Sequence, residues 1–188
     1  MIGNDVVDRL KAAQESNWKR NGYLHKIFTT QEQHLIHHAE DADLLVWLIW
    51  SMKESAYKII NRSTGIRNYT PLRFSCTNVT LNKHEATGEV HYQDIHCFTK
   101  TDILPGFIHS VATLSANDFT AIQVCNQPFT ANYLTAFNHS QPTYLLSKNK
   151  TEIPELTHLR TGQKHAVSIS HHGRHLAIAY SDSPLSTN

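Results

Sequence analysis

The stretch Trp50-Ser51-Met52-Lys53-Glu54-Ser55-Ala56-Tyr57-Lys58 decides how this chain is read. Around it, Leu45, Leu48, Met52, Ala56 and Ile59 recur at helical spacing and predict a long helix over residues 43–61, with that stripe facing a core. Gly65 follows as a helix exit. Glu54 and Lys58 stand four residues apart, so both emerge from one face, about one turn from each other. A carboxylate that can hold a hard cation beside an ammonium that can hold a phosphate suits phosphoryl chemistry. The same pair also reads as ordinary decoration of a solvated helix, and two other segments bear on the choice.

The first is Ile2-Gly3-Asn4-Asp5-Val6-Val7-Asp8. Val6 and Val7 read as a short buried strand in which Asp5 and Val7 share a face. Asp5 at the edge of a buried segment is costly unless it is paired or bound to a cation. Asp8 reads as the cap of a helix starting at Arg9, a role that fits Asp5 less well. The second segment is Val167-Ser168-Ile169-Ser170-His171-His172-Gly173-Arg174. It lies between apolar runs at 166–169 and 176–180, which predicts strand, tight turn at Gly173, strand. Its hydroxyl, imidazole and guanidinium groups suit phosphate oxygens, although a polar hairpin tip would carry the same residues.

In this order, Gly3-Asn4-Asp5, Trp50 to Lys58 and Ser168-Ile169-Ser170-His171 resemble the Gly-x-Asp, Trp-x-x-Lys-Glu-(Ala/Ser)-x-x-Lys and Ser-x-Ser-His motifs of the 4'-phosphopantetheinyl transferase superfamily. Phe28-Thr29-Thr30-Gln31-Glu32 is similar to a fourth, Phe-Thr-x-x-Glu, and has its own physical reading: Thr29 caps a helix while Glu32 reaches back to the cap amide. The resemblance covers residues 2–65 and 164–181. The helix motif is specific, and the two shorter ones gain weight by occurring with it.

The resemblance implies transfer of the phosphopantetheine arm of coenzyme A to a serine of an apo acyl or peptidyl carrier protein, releasing adenosine 3',5'-bisphosphate. It implies Mg2+ held by Asp5 and Glu54, Lys58 on the phosphates, and Ser170 and His171 on the phosphates or nucleotide of coenzyme A. Glu54, directly or through a metal-bound water, is the first candidate for the general base. The larger branch of the family has a second acid two residues after the Gly-x-Asp aspartate, where this chain has Val7. Motif order, with Ser-His last, is closest to the holo-acyl-carrier-protein synthase type, which forms homotrimers with the active site between subunits. A homotrimer with His171 of one subunit facing Asp5 and Glu54 of another is therefore expected. The extra length offers an alternative, a segment covering that interface and leaving a dimer or monomer.

The 188 residues are 40% hydrophobic with a formal charge of +1, which fits one soluble domain and excludes a disordered chain or a broad nucleic-acid binder. Arg9, Lys11, Lys19, Arg20 and Lys26 are candidates for docking an acidic carrier, or equally a solvated helix face. Three scattered cysteines and the lack of a signal region or membrane span lead to a cytoplasmic expectation. Helices are expected over 9–21 and 30–40 as well as 43–61, then strands over 74–80, 88–92, 95–100, 107–114 and 120–124. Helices followed by an antiparallel sheet make an α+β domain over 1–188, of the phosphopantetheinyl transferase-like fold, with the sheet packed on the long helix. Residues 126–160 read as an insertion, with a short helix over 151–159, and 182–188 as a frayed tail; no internal repeat is evident.

Two rival functions follow. Fourteen histidines, with clusters at His34, His37 and His38 and at His171, His172 and His175, raise a zinc site, although HExxH and paired CxxC are lacking. The other rival is a member of the same fold that binds a carrier protein or nucleotide without transfer.

Overall fold

The computed structural model describes residues 1–65 and 67–185. The chain opens with strand β1 (Ile2–Asp8), which runs directly into helix α1 (Arg9–Glu15). Asp8 makes that junction, its Oδ1 accepting from the amides of Leu10 and Lys11 at 3.1 Å each. The helix expected as far as residue 21 stops at Glu15, because the Asn17 side chain accepts from the Lys19 amide and turns the chain. Gly22, at φ 78°, then caps the short helix α2 (Tyr23–Ile27), which sequence reasoning missed. Helix α3 (Thr30–His38) begins with the expected reciprocal cap between Thr29 and Glu32. Helix α4 (Ala42–Thr64) starts at Asp41 and exits at Gly65 in the left-handed region. Its expected stripe of Leu45, Leu48, Met52, Ala56 and Ile59 is buried.

Two five-stranded antiparallel sheets complete the α+β fold. The first holds β1, β2 (Ser75–Leu81), β3 (Glu85–Tyr92), β4 (Ile95–Leu104) and β5 (Phe107–Thr113), in the order β1-β5-β4-β3-β2. α4 lies across it, so close that a Cβ on Gly3 of β1 would meet the Ser55 carbonyl oxygen. Glycine is thus a packing requirement at this position, whatever else the Gly-x-Asp motif does.

The second sheet holds β6 (Ile122–Pro128), β7 (Tyr144–Lys148), β8 (Pro154–His158), β9 (Lys164–His172) and β10 (His175–Pro184), ordered β6-β10-β9-β8-β7. Helix α5 (Tyr133–Ser140) connects β6 to β7 and buries Phe137 against Leu146, Leu156, Val167, Leu176 and Ile178. The two halves therefore repeat one path: a first strand, a helical connection, then four antiparallel strands of which the last pairs with the first. This repeat leaves no trace in the sequence pattern.

Residues 126–160, expected as an insertion, supply the end of β6 and all of α5, β7 and β8. The helix expected over 151–159 is strand β8, whose single buried residue is Leu156. Pro154, read as a first-turn helix residue, is instead the first residue of that strand, a place where a missing amide donor is tolerated. The tail expected to fray continues β10 through Pro184, held by pairing of Pro184 with His165 and by Gln123 Nε2 donating to Asp182 at 2.8 Å. The remainder of that tail, 186–188, lies outside the described residues. Among the described residues, no helix is long and apolar enough to cross a membrane.

Candidate active site

β1 is the edge strand of its sheet, and its free edge is covered by side chains of the other half. The amides of Asn4, Val6 and Asp8 donate to Ser168 Oγ at 3.0 Å, Ser170 Oγ at 2.9 Å and His172 Nδ1 at 3.1 Å. The alternation of β9 sends these three side chains to one face, where they serve as a substitute strand for β1. The turn after β9 closes on the same strand: the Arg174 amide lies 3.4 Å from Asp8 Oδ2, and a Cβ on Gly173 would collide with the Asp8 carboxylate. The Ser-His strand expected from a neighbouring subunit lies against β1 of its own chain.

Asp5 sits at the centre of that seam. Its Oδ1 accepts from Ser170 Oγ at 3.1 Å and lies 3.5 Å from Lys58 Nζ, which also donates to the Asn4 carbonyl at 2.6 Å. Its Oδ2 is buried without a hydrogen-bond partner. Burial raises the Asp5 pKa, while the Lys58 charge and the Ser170 and Ser51 hydroxyls pull it back down. Glu54 is pushed up to about 7, first by burial and then by the charge of Asp5, with Lys58 opposing. A buried carboxylate that disfavours the ionisation of its neighbour, with one ammonium beside the two, is under-compensated. A divalent cation would satisfy the orphaned Asp5 oxygen and relieve the repulsion, so the donor set fits a hard, oxygen-preferring ion.

The structure thus brings together Asp5, Glu54, Lys58 and Ser170. His171 projects from the opposite face of β9 to Ser170, by strand alternation, and stacks on Phe129 with ring centroids 4.3 Å apart. Burial and then the Lys58 charge lower its pKa, so its ring lies within electrostatic reach of the same ammonium. Beside Lys58, a cleft of about 280 Å³ opens between the end of α4 and the second sheet, lined by Arg62, Arg67, Glu152, Ser168 and Ile169 among others. Its basic side chains suit an extended, phosphate-bearing ligand.

Sequence reasoning missed three parts of the site. Ser168 and His172 act on the backbone of β1, and the only signal was polar side chains alternating through an otherwise apolar strand. Tyr69 packs edge-on against Trp50 with its hydroxyl buried and unpartnered, and its pKa is raised by burial and then by the charges of Glu54 and Asp5. Lys53, within the helix motif, is wholly buried and donates to Glu32 Oε2 at 2.6 Å and to the carbonyls of Ile27 and Pro71. Glu32 in turn accepts from the amides of Thr29 and Cys76, each at 2.7 Å. The Phe-Thr-x-x-Glu and Trp-x-x-Lys-Glu stretches are therefore two ends of one buried ion pair, which fixes the helix that presents Glu54 and Lys58.

The histidine clusters raised as zinc sites disperse. His34 stacks on His38, while His171 stacks on Phe129, His172 reaches Glu15 at 3.1 Å, and His175 stacks on Phe107. Among the described residues, neither cluster gathers three donor groups around one point.

A search of curated proteins and one of solved structures gave no match. A family model described as the 4'-phosphopantetheinyl transferase superfamily matches residues 1–112, more than half of the 188. The match spans β1, the four helices of the first half and nearly all of the first sheet, including Asp5, Glu54 and Lys58, and stops before β9. By that match the chain belongs to the 4'-phosphopantetheinyl transferase superfamily, whose members use coenzyme A and act on carrier proteins.

Proposed function

We propose that this chain transfers the 4'-phosphopantetheine arm of coenzyme A to the serine of an apo acyl or peptidyl carrier protein in a Mg2+-dependent reaction. The observation that carries the reading is the convergence of Asp5, Glu54 and Lys58 where β1 passes under α4. Asp5 and Glu54 would hold the ion, which supplies charge neutralisation on the pyrophosphate oxygens. Lys58 donates to the same oxygens and steadies the leaving phosphate. Arg62 and Arg67 line the cleft that would receive the nucleotide end of coenzyme A, with Ser168 on its far wall.

The serine oxygen forms a bond to the phosphorus bearing the pantetheine, and the bond from that phosphorus to the bridging oxygen breaks. Adenosine 3',5'-bisphosphate leaves with the electron pair. Glu54 is the candidate to take the serine proton. Ser170 contributes by orientation: one hydroxyl joins the Val6 amide to the Asp5 carboxylate and fixes its rotamer. Motif order supports the holo-acyl-carrier-protein synthase type, with the second sheet taking the place a neighbouring subunit would otherwise fill. A cytoplasmic setting accords with the free thiols of Cys76, Cys97 and Cys125.

The test is mass spectrometry of apo carrier proteins from fatty acid, polyketide and peptide assembly after incubation with the chain, coenzyme A and Mg2+. The expected result is a carrier heavier by one phosphopantetheine. Coenzyme A binding without any such gain would leave the non-catalytic reading in its place.

A further inference from the structure

A second cluster of ligating side chains lies well away from the acids of β1. In the β3–β4 hairpin, His91 and His96 are direct cross-strand partners, and Glu89 stands two residues before His91. Val90, between Glu89 and His91, and its cross-strand partner Cys97, just after His96, point into the core beneath α4. Strand alternation therefore puts Glu89, His91 and His96 together on the outer face of the sheet. His96 Nε2 is 3.1 Å and His91 Nε2 3.7 Å from the same carboxylate oxygen, Glu89 Oε2, and one donor atom from each residue lies within 4.8 Å of the others. Ligands bound to zinc at about 2.0–2.1 Å sit roughly 3.4 Å from each other in a tetrahedron, so small rotations of the two rings would suffice.

An ordinary surface ion pair accounts for these contacts incompletely. His96 Nε2 is shielded from solvent and makes no hydrogen bond, although a carboxylate oxygen is 3.1 Å away. The distance is right and the alignment is wrong. Two groups in this relation are aimed at a third point more than at each other. The rings of His91 and His96 are stacked at 4.5 Å and 11°, with both Nε2 atoms toward Glu89, an arrangement that two imidazolium ions would resist. Phe98 packs on the His96 ring with centroids 4.5 Å apart and holds it in place, while Thr77 Oγ1 lies 3.0 Å from His91 Nε2, a hydrogen bond that a metal on that nitrogen would replace.

We propose that Glu89, His91 and His96 form a binding site for a divalent transition-metal ion of the zinc type. Two neutral imidazoles and one carboxylate suit zinc better than magnesium, and three protein ligands leave a coordination position open to solvent. Bound metal would tie β3 to β4 near the hairpin turn, adding stability to the folded state alone. The site is separate from the proposed transfer chemistry, because β4 and β3 are two and three strands from β1 and the cluster faces away from α4.

The test is zinc titration of the full chain against a chromophoric chelator, followed by Co2+ substitution and visible absorption. One zinc per chain is expected, with visible Co2+ bands of a low-coordinate N/O site. His96→Ala and Glu89→Gln should each weaken zinc at least about ten-fold and abolish those bands. Both positions are on the outer face, and circular dichroism checks that the variants stay folded. Glu54→Gln should bind zinc like the parent chain, which separates this site from the acids under α4. Unchanged zinc affinity in His96→Ala would overturn the proposal, as would the absence of Co2+ bands in the parent chain.

Discussion

The two halves of this chain follow the same path and do different work. β1 and β6 are both seven residues long, and each pairs with the last strand of its own sheet. At the fourth residue the first half has Asp5 opposite Ser110, whereas the second has Cys125 opposite Ile178. The helical connection is the other difference. α4 has 23 residues, about 35 Å, enough to cross the sheet and carry Glu54 and Lys58 over β1. α5 has eight and buries a single side chain, Phe137. Repetition of a topology thus left one half with the charged groups. The other covers the exposed edge of β1 through Ser168, Ser170 and His172.

The largest effect should come from the ion pair beneath α4. Lys53→Met leaves Glu32 buried without its cation, and a loss of roughly 3–5 kcal/mol is expected in denaturant unfolding. Lys164→Met in the second half, which breaks the exposed pair with Glu155, should cost less than about 1 kcal/mol. Equal losses in the two halves would break the comparison.

pH sharpens it next. His109 of β5 is wholly buried where the two halves meet, near Asn4, and its pKa is lowered to about 4, first by burial and then by the Lys58 charge. A depressed histidine contributes stability that is complete above its unfolded value near 6.5 and is lost as pH falls toward 4. The parent chain should therefore lose on the order of 3 kcal/mol across that window relative to His109→Gln. Parallel stability profiles for the two proteins would contradict this.

The seam itself gives a smaller effect. Ser168→Ala and Ser170→Ala each leave a β1 amide without its acceptor, a cost of about 1–3 kcal/mol. Only Ser170 also holds Asp5, so transfer should fall further in Ser170→Ala than in Ser168→Ala at matched stability. Equal activities would mean that β9 acts on the backbone of β1 alone.

The first half was the legible one, for a physical reason. Its signals are local: a stripe of five apolar residues on α4, a cap at Asp8 and the reciprocal Thr29–Glu32 cap each lie within a few residues of their partners. In the second half the apolar runs of β9 and β10 were legible, but Phe137 on α5, Leu146 on β7 and Leu156 on β8 are single buried residues, too few for any period to show. The site divides the same way. Glu54 and Lys58 were legible because a helix fixes their spacing, whereas Ser168 and His172 act on amides 164 residues away. Lys53 was legible as part of a motif, and its burial with Glu32 was not, because that contact depends on how α3 packs on α4.

The central claim is that Asp5 and Glu54 share one divalent ion. Calorimetric titration of Mg2+, with coenzyme A present, into the parent chain, Asp5→Asn, Glu54→Gln and the double variant tests it most directly. One site is expected in the parent, severe weakening in each single variant, and little further loss in the double variant, since ligands of one ion are not additive. Mg2+ binding that survives either substitution, or losses that simply add, would contradict the account.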